Sequence, residues 1–178
     1  MKIKIEKNKG NNLFYDEFLY IQEYCKRFIK NPKRTSKLLT KEYKRLLIVG
    51  VIIFMLALLL HKGIVVYLCI GSLGVCIVVN IALLINANAK MKFFLEHNED
   101  CELLLNEDYV ELANSVQSCK IKWSDIKHIV VNQYTICFIP NKVPGYVLAI
   151  SNEYKEDLFK VLKKLKKEDL FFDNSELY

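Results

Sequence analysis

The chain has 178 residues, 52% of them hydrophobic, and 26 basic against 20 acidic side chains give it a net charge of +6. Once two long apolar runs are set aside, that length leaves one small domain and an N-terminal segment. The basic excess is concentrated just before the first apolar run and forms neither an Arg-rich stripe nor a zinc-finger spacing, which argues against nucleic acid as a partner.

In residues 1–8, Ile3 and Ile5 alternate with Lys2, Lys4 and Glu6, the pattern of a short strand with one apolar face. Gly10, Asn11 and Asn12 form a turn. Phe14, Phe18, Ile21, Cys25 and Phe28 then recur at spacings of four, three, four and three, one apolar stripe on a helix. Asp16 and Glu17 are expected in its first turn and Lys26, Arg27 and Lys30 in its last, the charge order a helix dipole favours. Asn31 and Pro32 end it. Such a helix either lies in the membrane interface, with its aromatics in lipid, or packs on a soluble domain. Residues 33–44 are expected to continue as a basic helical lead-in.

The apolar runs are residues 46–60 and 64–85, separated by His61, Lys62 and Gly63. At about 1.5 Å per residue the second measures roughly 33 Å and crosses a hydrocarbon core of about 30 Å. The first measures roughly 22 Å. It reaches across if Lys44, Arg45 and Lys62 extend their heads to the headgroups and the bilayer thins locally. The pair predicts a transmembrane helical hairpin over 46–87. Lys33, Arg34, Lys37, Lys41, Lys44 and Arg45 precede it and Lys90 and Lys92 follow it, which puts both termini of a two-span membrane protein in the cytoplasm. The first run begins too late and is followed too soon by the second to be a secretory signal.

Gly50 with Ala57 on the first helix, and Gly71, Ser72, Gly74 and Cys76 on the second, are the expected packing faces. Asn80 is the one strongly polar residue of the second run. It is expected to hydrogen-bond to the partner helix, with a substrate path as the sharper alternative. Two spans cannot form a transport pathway alone, so a transporter would require a homo-oligomer. The six cysteines contain no C-x-x-C pair and, in this topology, are reduced or in the membrane; His61, His97 and His128 are scattered. No disulfide, metal or other cofactor is expected.

From residue 101 the pattern turns to strands: 101–105, 109–112, 116–123, 126–131, 134–139 and 146–150. Cys119, Ile121 and Trp123 share one face, Lys120 and Lys122 the other. Ser151 or Asn152 caps a closing helix whose stripe is Leu158, Val161, Leu162 and Leu165. Glu153, Glu156 and Asp157 crowd its start and four lysines its end, a solvated face in dipole order. Residues 171–178 form a tail with no assigned place. Antiparallel strands closed by one amphipathic helix suggest a pleckstrin-homology-like fold for residues 93–170. Residues 1–45 then form the N-terminal strand, amphipathic helix and lead-in of an α+β membrane protein.

Phe14-Tyr15-Asp16-Glu17-Phe18, the hairpin, and Ile121-Lys122-Trp123-Ser124-Asp125-Ile126 together resemble the YcxB-like family of bacterial membrane proteins. The resemblance covers most of the chain. It departs at Ile150-Ser151-Asn152, where members often carry Ile-Pro and a basic residue. Trp123 is expected to anchor the core, and Ser124 and Asp125 to turn the chain. Ser124 and His128 lack the third group that nucleophilic catalysis needs. With no Gly-rich phosphate loop or metal cluster, the chain is expected not to be an enzyme. The resemblance implies a bacterial membrane-anchored accessory protein whose module contacts lipid, the hairpin or a protein partner. Self-immunity against a membrane-acting toxin or bacteriocin is the specific form, and a membrane sensor or regulator is the alternative. The basic residues Lys26, Arg27 and Lys30 of the N-terminal helix would meet a bilayer with anionic headgroups.

Overall fold

In the computed structural model, which describes residues 2–6, 12–59, 64–96, 99–115, 118–142 and 147–176, strand β1 (Lys2–Ile5) lies antiparallel to β2 (Cys101–Leu105). Lys2 stands opposite Leu104 and Ile5 opposite Cys101. Two neighbouring strands are therefore separated in sequence by four helices: α1 (Asn12–Glu23), α2 (Cys25–Lys30), α3 (Leu39–Leu59) and α4 (Ile64–Glu96). The sheet continues as a meander through β3 (Tyr109–Ala113) and β4 (Ser118–Lys122), in the order β1-β2-β3-β4. A second sheet, β7-β6-β5-β8, holds β5 (Ile126–Val131), β6 (Thr135–Pro140), β7 (Leu148–Ser151) and β8 (Phe171–Asp173). It is antiparallel except for β8, which runs parallel to β5. Helix α5 (Lys155–Lys164) precedes β8. Among the described residues the chain is thus α+β, with five helices and two four-stranded sheets.

The second sheet is buried on both faces, and β6 shows why. Its run Thr-Ile-Cys-Phe-Ile-Pro is buried at every position, as a central strand covered on two sides requires. Ile129, Val131, Ile136 and Phe138 pack with Leu103, Leu105 and Val110 of the first sheet and with Leu158, Val161 and Leu162 of α5. The alternate residues Val130, Cys137 and Ile139 pack with Leu19, Tyr20, Ile21, Cys25 and Phe28 of α1 and α2, and with Leu39, Tyr43 and Ala87 at the foot of α3 and α4. Each such side chain contributes about 1.5–3 kcal/mol when fully buried.

Helices α3 and α4 pack along each other, with Gly50 facing Ile77 and Tyr43 near Ala87. A Cβ at Gly50 would sit 3.5 Å from Ile77 Cγ1, whereas a Cβ at Gly71 or Gly74 would meet nothing within 4 Å. The expected packing stretch on the second run is corrected accordingly: Gly50 lies at the contact, Gly71 and Gly74 do not, and Cys76 is exposed. Helix α4 is long and apolar enough, over Ile70–Phe93, to cross a membrane, and only 6% of its most apolar window is buried in the protein.

Several other expectations are revised. The helix from Phe14 is two helices, because Tyr24 (φ −104°, ψ 24°) interrupts the ladder. Residues 33–38 are not helical, since helix α3 starts only at Leu39 and the backbone carbonyls of Pro32 and Arg34 accept hydrogen bonds from Asn174 Nδ2 at 2.7 and 3.1 Å. The strand expected to include Trp123 ends at Lys122. Cys119 is exposed and Ile121 only partly buried, because β4 is a sheet edge that projects beyond the core. The tail forms β8 and supplies Phe171 to the first core. Gly10 and Asn11, His61, Lys62 and Gly63, the side chains of Ala57 and Cys69, His97, residues 116–117 and 143–146, and Tyr178 lie outside the described residues.

Candidate functional site

The side chains singled out in the sequence fall in three places. Trp123 occupies a one-turn 3-10 helix, 6% exposed, and its Nε1 donates to the Asn106 carbonyl at 2.8 Å. It belongs to the core between the sheets. Ser124 and Asp125 are exposed, and their carbonyls accept from the Asn141 amide side chain and from the Asn141 N–H (2.8 Å to Asp125). They tether a turn. His128 lies elsewhere: its ring meets the Phe172 ring edge-on at 5.1 Å and bonds the Ile29 backbone. Burial lowers its pKa against the raising effect of that bond. The fold does not bring Ser124 and His128 together. Asn80 Nδ2 donates to the Cys76 carbonyl at 2.9 Å, one turn back in its own helix. That bond satisfies the amide locally and replaces the expected bond across the pair.

What the fold assembles instead is a polar junction where α1 meets both the second sheet and the foot of α3. Glu17 is 1% exposed. It accepts from Ser36 Oγ at 2.5 Å, from the Tyr134 N–H at 2.9 Å and from Thr135 Oγ1 at 2.8 Å. Asp16, 5% exposed, accepts from the Thr40 N–H at 2.8 Å and from the Thr40 hydroxyl. Glu17 therefore joins α1 to the β5–β6 turn and to the segment before α3. Asp16 caps the first turn of α3 from another helix, satisfying an N–H that has no partner inside it. Burial raises the Glu17 pKa, and its hydrogen bonds only partly offset that. Because α1 starts at Asn12, both acids sit beyond its first turn, and the dipole explanation offered by the sequence does not hold. A signal was present: Phe14, Tyr15, Phe18, Leu19, Tyr20 and Ile21 surround the acids on almost every side of the helix, so more than one face had to be buried.

Above this junction is a groove. Leu19, Gln22 and Glu23 of α1, Leu39 and Tyr43 of α3, and Leu83, Asn86, Ala87 and Lys90 of α4 line a cavity of about 190 Å³. A second hollow of about 320 Å³ adjoins it, sharing Leu19, Gln22 and Lys90 and adding Ala89 and Phe93. Its apolar and polar lining suits an amphipathic occupant. Burial, with Glu23 and Tyr24 adding to it, raises the Tyr43 phenol pKa. Among the described residues no three His, Cys, Asp or Glu side chains gather as metal ligands, and Cys25, Cys76, Cys101, Cys119 and Cys137 are free thiols.

No protein-family model, curated protein or solved structure matches this chain.

Proposed function

We propose that this chain is a non-enzymatic integral membrane protein of the YcxB-like kind, in which α3 and α4 form a two-span hairpin and a cytoplasmic pleckstrin-homology-like module binds a partner beneath it. The observation that carries this is the contrast along α3 and α4. At their foot Leu39, Tyr43 and Ala87 are buried in the protein. Beyond it Leu46, Ile48, Val49, Ile52, Ile53, Met55 and Leu56 of α3, and Val75, Val78, Val79 and Ile85 of α4, are all exposed. An apolar surface of that extent is at home in lipid and not in water. Lys44, Arg45 and Lys92 are exposed at the same foot, where they would meet anionic headgroups. The pleckstrin-homology-like reading is supported by two packed four-stranded sheets, the meander order of the first, and the closing helix α5. The helices then form an insertion between its first two strands.

Alkaline carbonate extraction of membranes tests the anchor. The protein stays in the pellet; release into the supernatant would refute integral insertion. In a variant stripped of native cysteines, a Cys at position 63 is labelled from outside intact cells and one at Glu107, which is exposed, is not. The reverse pattern would invert the topology. Self-immunity is the proposed physiological role: expression of the intact chain raises survival against a membrane-acting bacteriocin, and the hairpin without its module does not. The junction at Asp16 and Glu17 favours a second reading, a sensor or regulator, because it ties the start of α3 to the second sheet.

A further inference from the structure

We propose that the groove between α1 and the foot of the helical pair is a binding site for a phospholipid whose headgroup carries both a primary ammonium and a phosphate. This rests on the reading of α3 and α4 as membrane helices, which puts the groove at headgroup level. Glu23 and Lys90 line the same cavity with opposite charges, yet they form no ion pair with each other or with any other described residue. The amides of Gln22 and Asn86 line it with them, and Leu19 and Leu83 supply apolar wall. The adjoining hollow shares Leu19, Gln22 and Lys90 with it and adds Ala89 and Phe93.

Two unpaired opposite charges in one cavity are satisfied best by a ligand carrying both. Lys90 and the amide N–H groups suit a phosphate, and the Glu23 carboxylate suits an ammonium that can donate to it. A purely anionic headgroup would set phosphate against the Glu23 carboxylate. A quaternary amine has no N–H to donate. The exposed basic residues outside the groove attract anionic lipid without selecting a headgroup, whereas the charged lining of the groove sums to zero and selects for zwitterions. The chemistry required is that of phosphoethanolamine, and the apolar wall assigns it to a lipid.

The test uses the full chain in lipid nanodiscs with a photoactivatable phosphatidylethanolamine and peptide mapping. Label is expected on 19–23 and 83–93. Unlabelled phosphatidylethanolamine should compete about tenfold better than phosphatidylglycerol or phosphatidylcholine, the scale of one charged hydrogen bond. Glu23→Gln should bring the three competitors to within about twofold of one another, and Lys90→Gln should weaken all three. Both residues are exposed, so neither change should alter the unfolding transition. Equal competition in the native chain, an unchanged preference in Glu23→Gln, or label mapping elsewhere would overturn the site. Soluble glycerophosphoethanolamine competing as well as the lipid would overturn the lipid assignment. Failure of the membrane reading is separate, because it appears earlier as a chain released by carbonate.

Discussion

The second sheet has two faces, and the chain closes them by different means. Helix α5 closes the face toward the first sheet. Leu158, Val161 and Leu162 point inward, while Glu156 and Asp157 stay in water. Helices α1 and α2 close the other face, and there Asp16 and Glu17 are buried with the aromatics. Helices α1 and α5 look alike in sequence, with acids ahead of an apolar stripe. They differ because α5 has one neighbour surface and α1 has two, the sheet on one side and the helical pair on the other. A helix wedged between two surfaces has little solvated face left. Its acids must find donors inside, and those donors come from both neighbours.

The largest effect expected is in the α5-side core. Trp123→Ala removes a buried indole and its bond to Asn106 and should cost about 3–5 kcal/mol, read as a lower denaturant midpoint for the full chain in detergent. A much smaller cost would mean that this face is not anchored there. On the α1 side the anchor is polar. Glu17→Ala leaves the Tyr134 N–H and two hydroxyls without their acceptor and should cost about 3 kcal/mol. Glu156→Ala, the matching acid on α5, should stay within about 0.5 kcal/mol. Equal effects of the two acid substitutions would erase the distinction between the helices.

Acidity should separate the faces as well. Because burial raises the Glu17 pKa, ionising this group is harder in the folded chain than in the unfolded one. Its contribution is complete below the ordinary glutamate value of 4.5 and is lost as pH rises through the higher folded value. Asp173, paired with Lys155 at 2.5 Å, runs the opposite way. Burial raises its pKa, but Lys155 and Ser175 together outweigh that and lower it, so its contribution is lost as pH falls. Unfolding midpoints measured from acid to neutral should therefore fall less with rising pH in Glu17→Gln than in the native chain. An unchanged profile would place the Glu17 carboxyl in water.

The smallest effect tests the end of α5. Lys166 has φ 53°, and its neighbours close the helix through bonds from the Lys166 and Lys167 N–H groups to the Lys163 and Leu162 carbonyls. A β-carbon is strained there and glycine is not. Lys166→Gly should raise stability by about 0.5–1 kcal/mol in the same denaturant titration. A loss would mean that the lysine side chain has a role the helix end does not show.

Much of the α5 side was legible in the sequence. The stripe of α5 and the pairing of β5 with β6 follow from local periodicity and turn chemistry. The expected cap is corrected, because Ser151 accepts from the Glu153 N–H at 3.4 Å to cap a one-turn 3-10 helix over Asn152–Tyr154, and α5 itself starts after Tyr154 with no side-chain cap. The two apolar runs announced α3 and α4 by length alone. The rest depended on partners far away in the chain. Periodicity gave β1 an apolar face but could not say that it adds to β2 nearly a hundred residues later. Phe171 and Phe172 lie in a tail too short to show a period, and β5 alone defines them as a strand. Gly71 and Gly74 were misleading because a small residue permits a close contact without supplying one. Asp16 and Glu17 were misread because a carboxylate beside a helix start is usually solvated. Only the width of the aromatic arc around them marked the exception.

Hydrogen exchange in nanodiscs tests most directly whether α1 makes the helical pair and the sheet one packed unit. Glu17→Ala should speed exchange at two separated sets of amides by similar factors, those of 39–43 at the start of α3 and those of 135–139 in β6, while β2 and β3 stay as protected as in the native chain. If exchange rises only at 135–139 and the start of α3 is unchanged, the junction does not couple the two, and the helical pair and the sheet are merely neighbours.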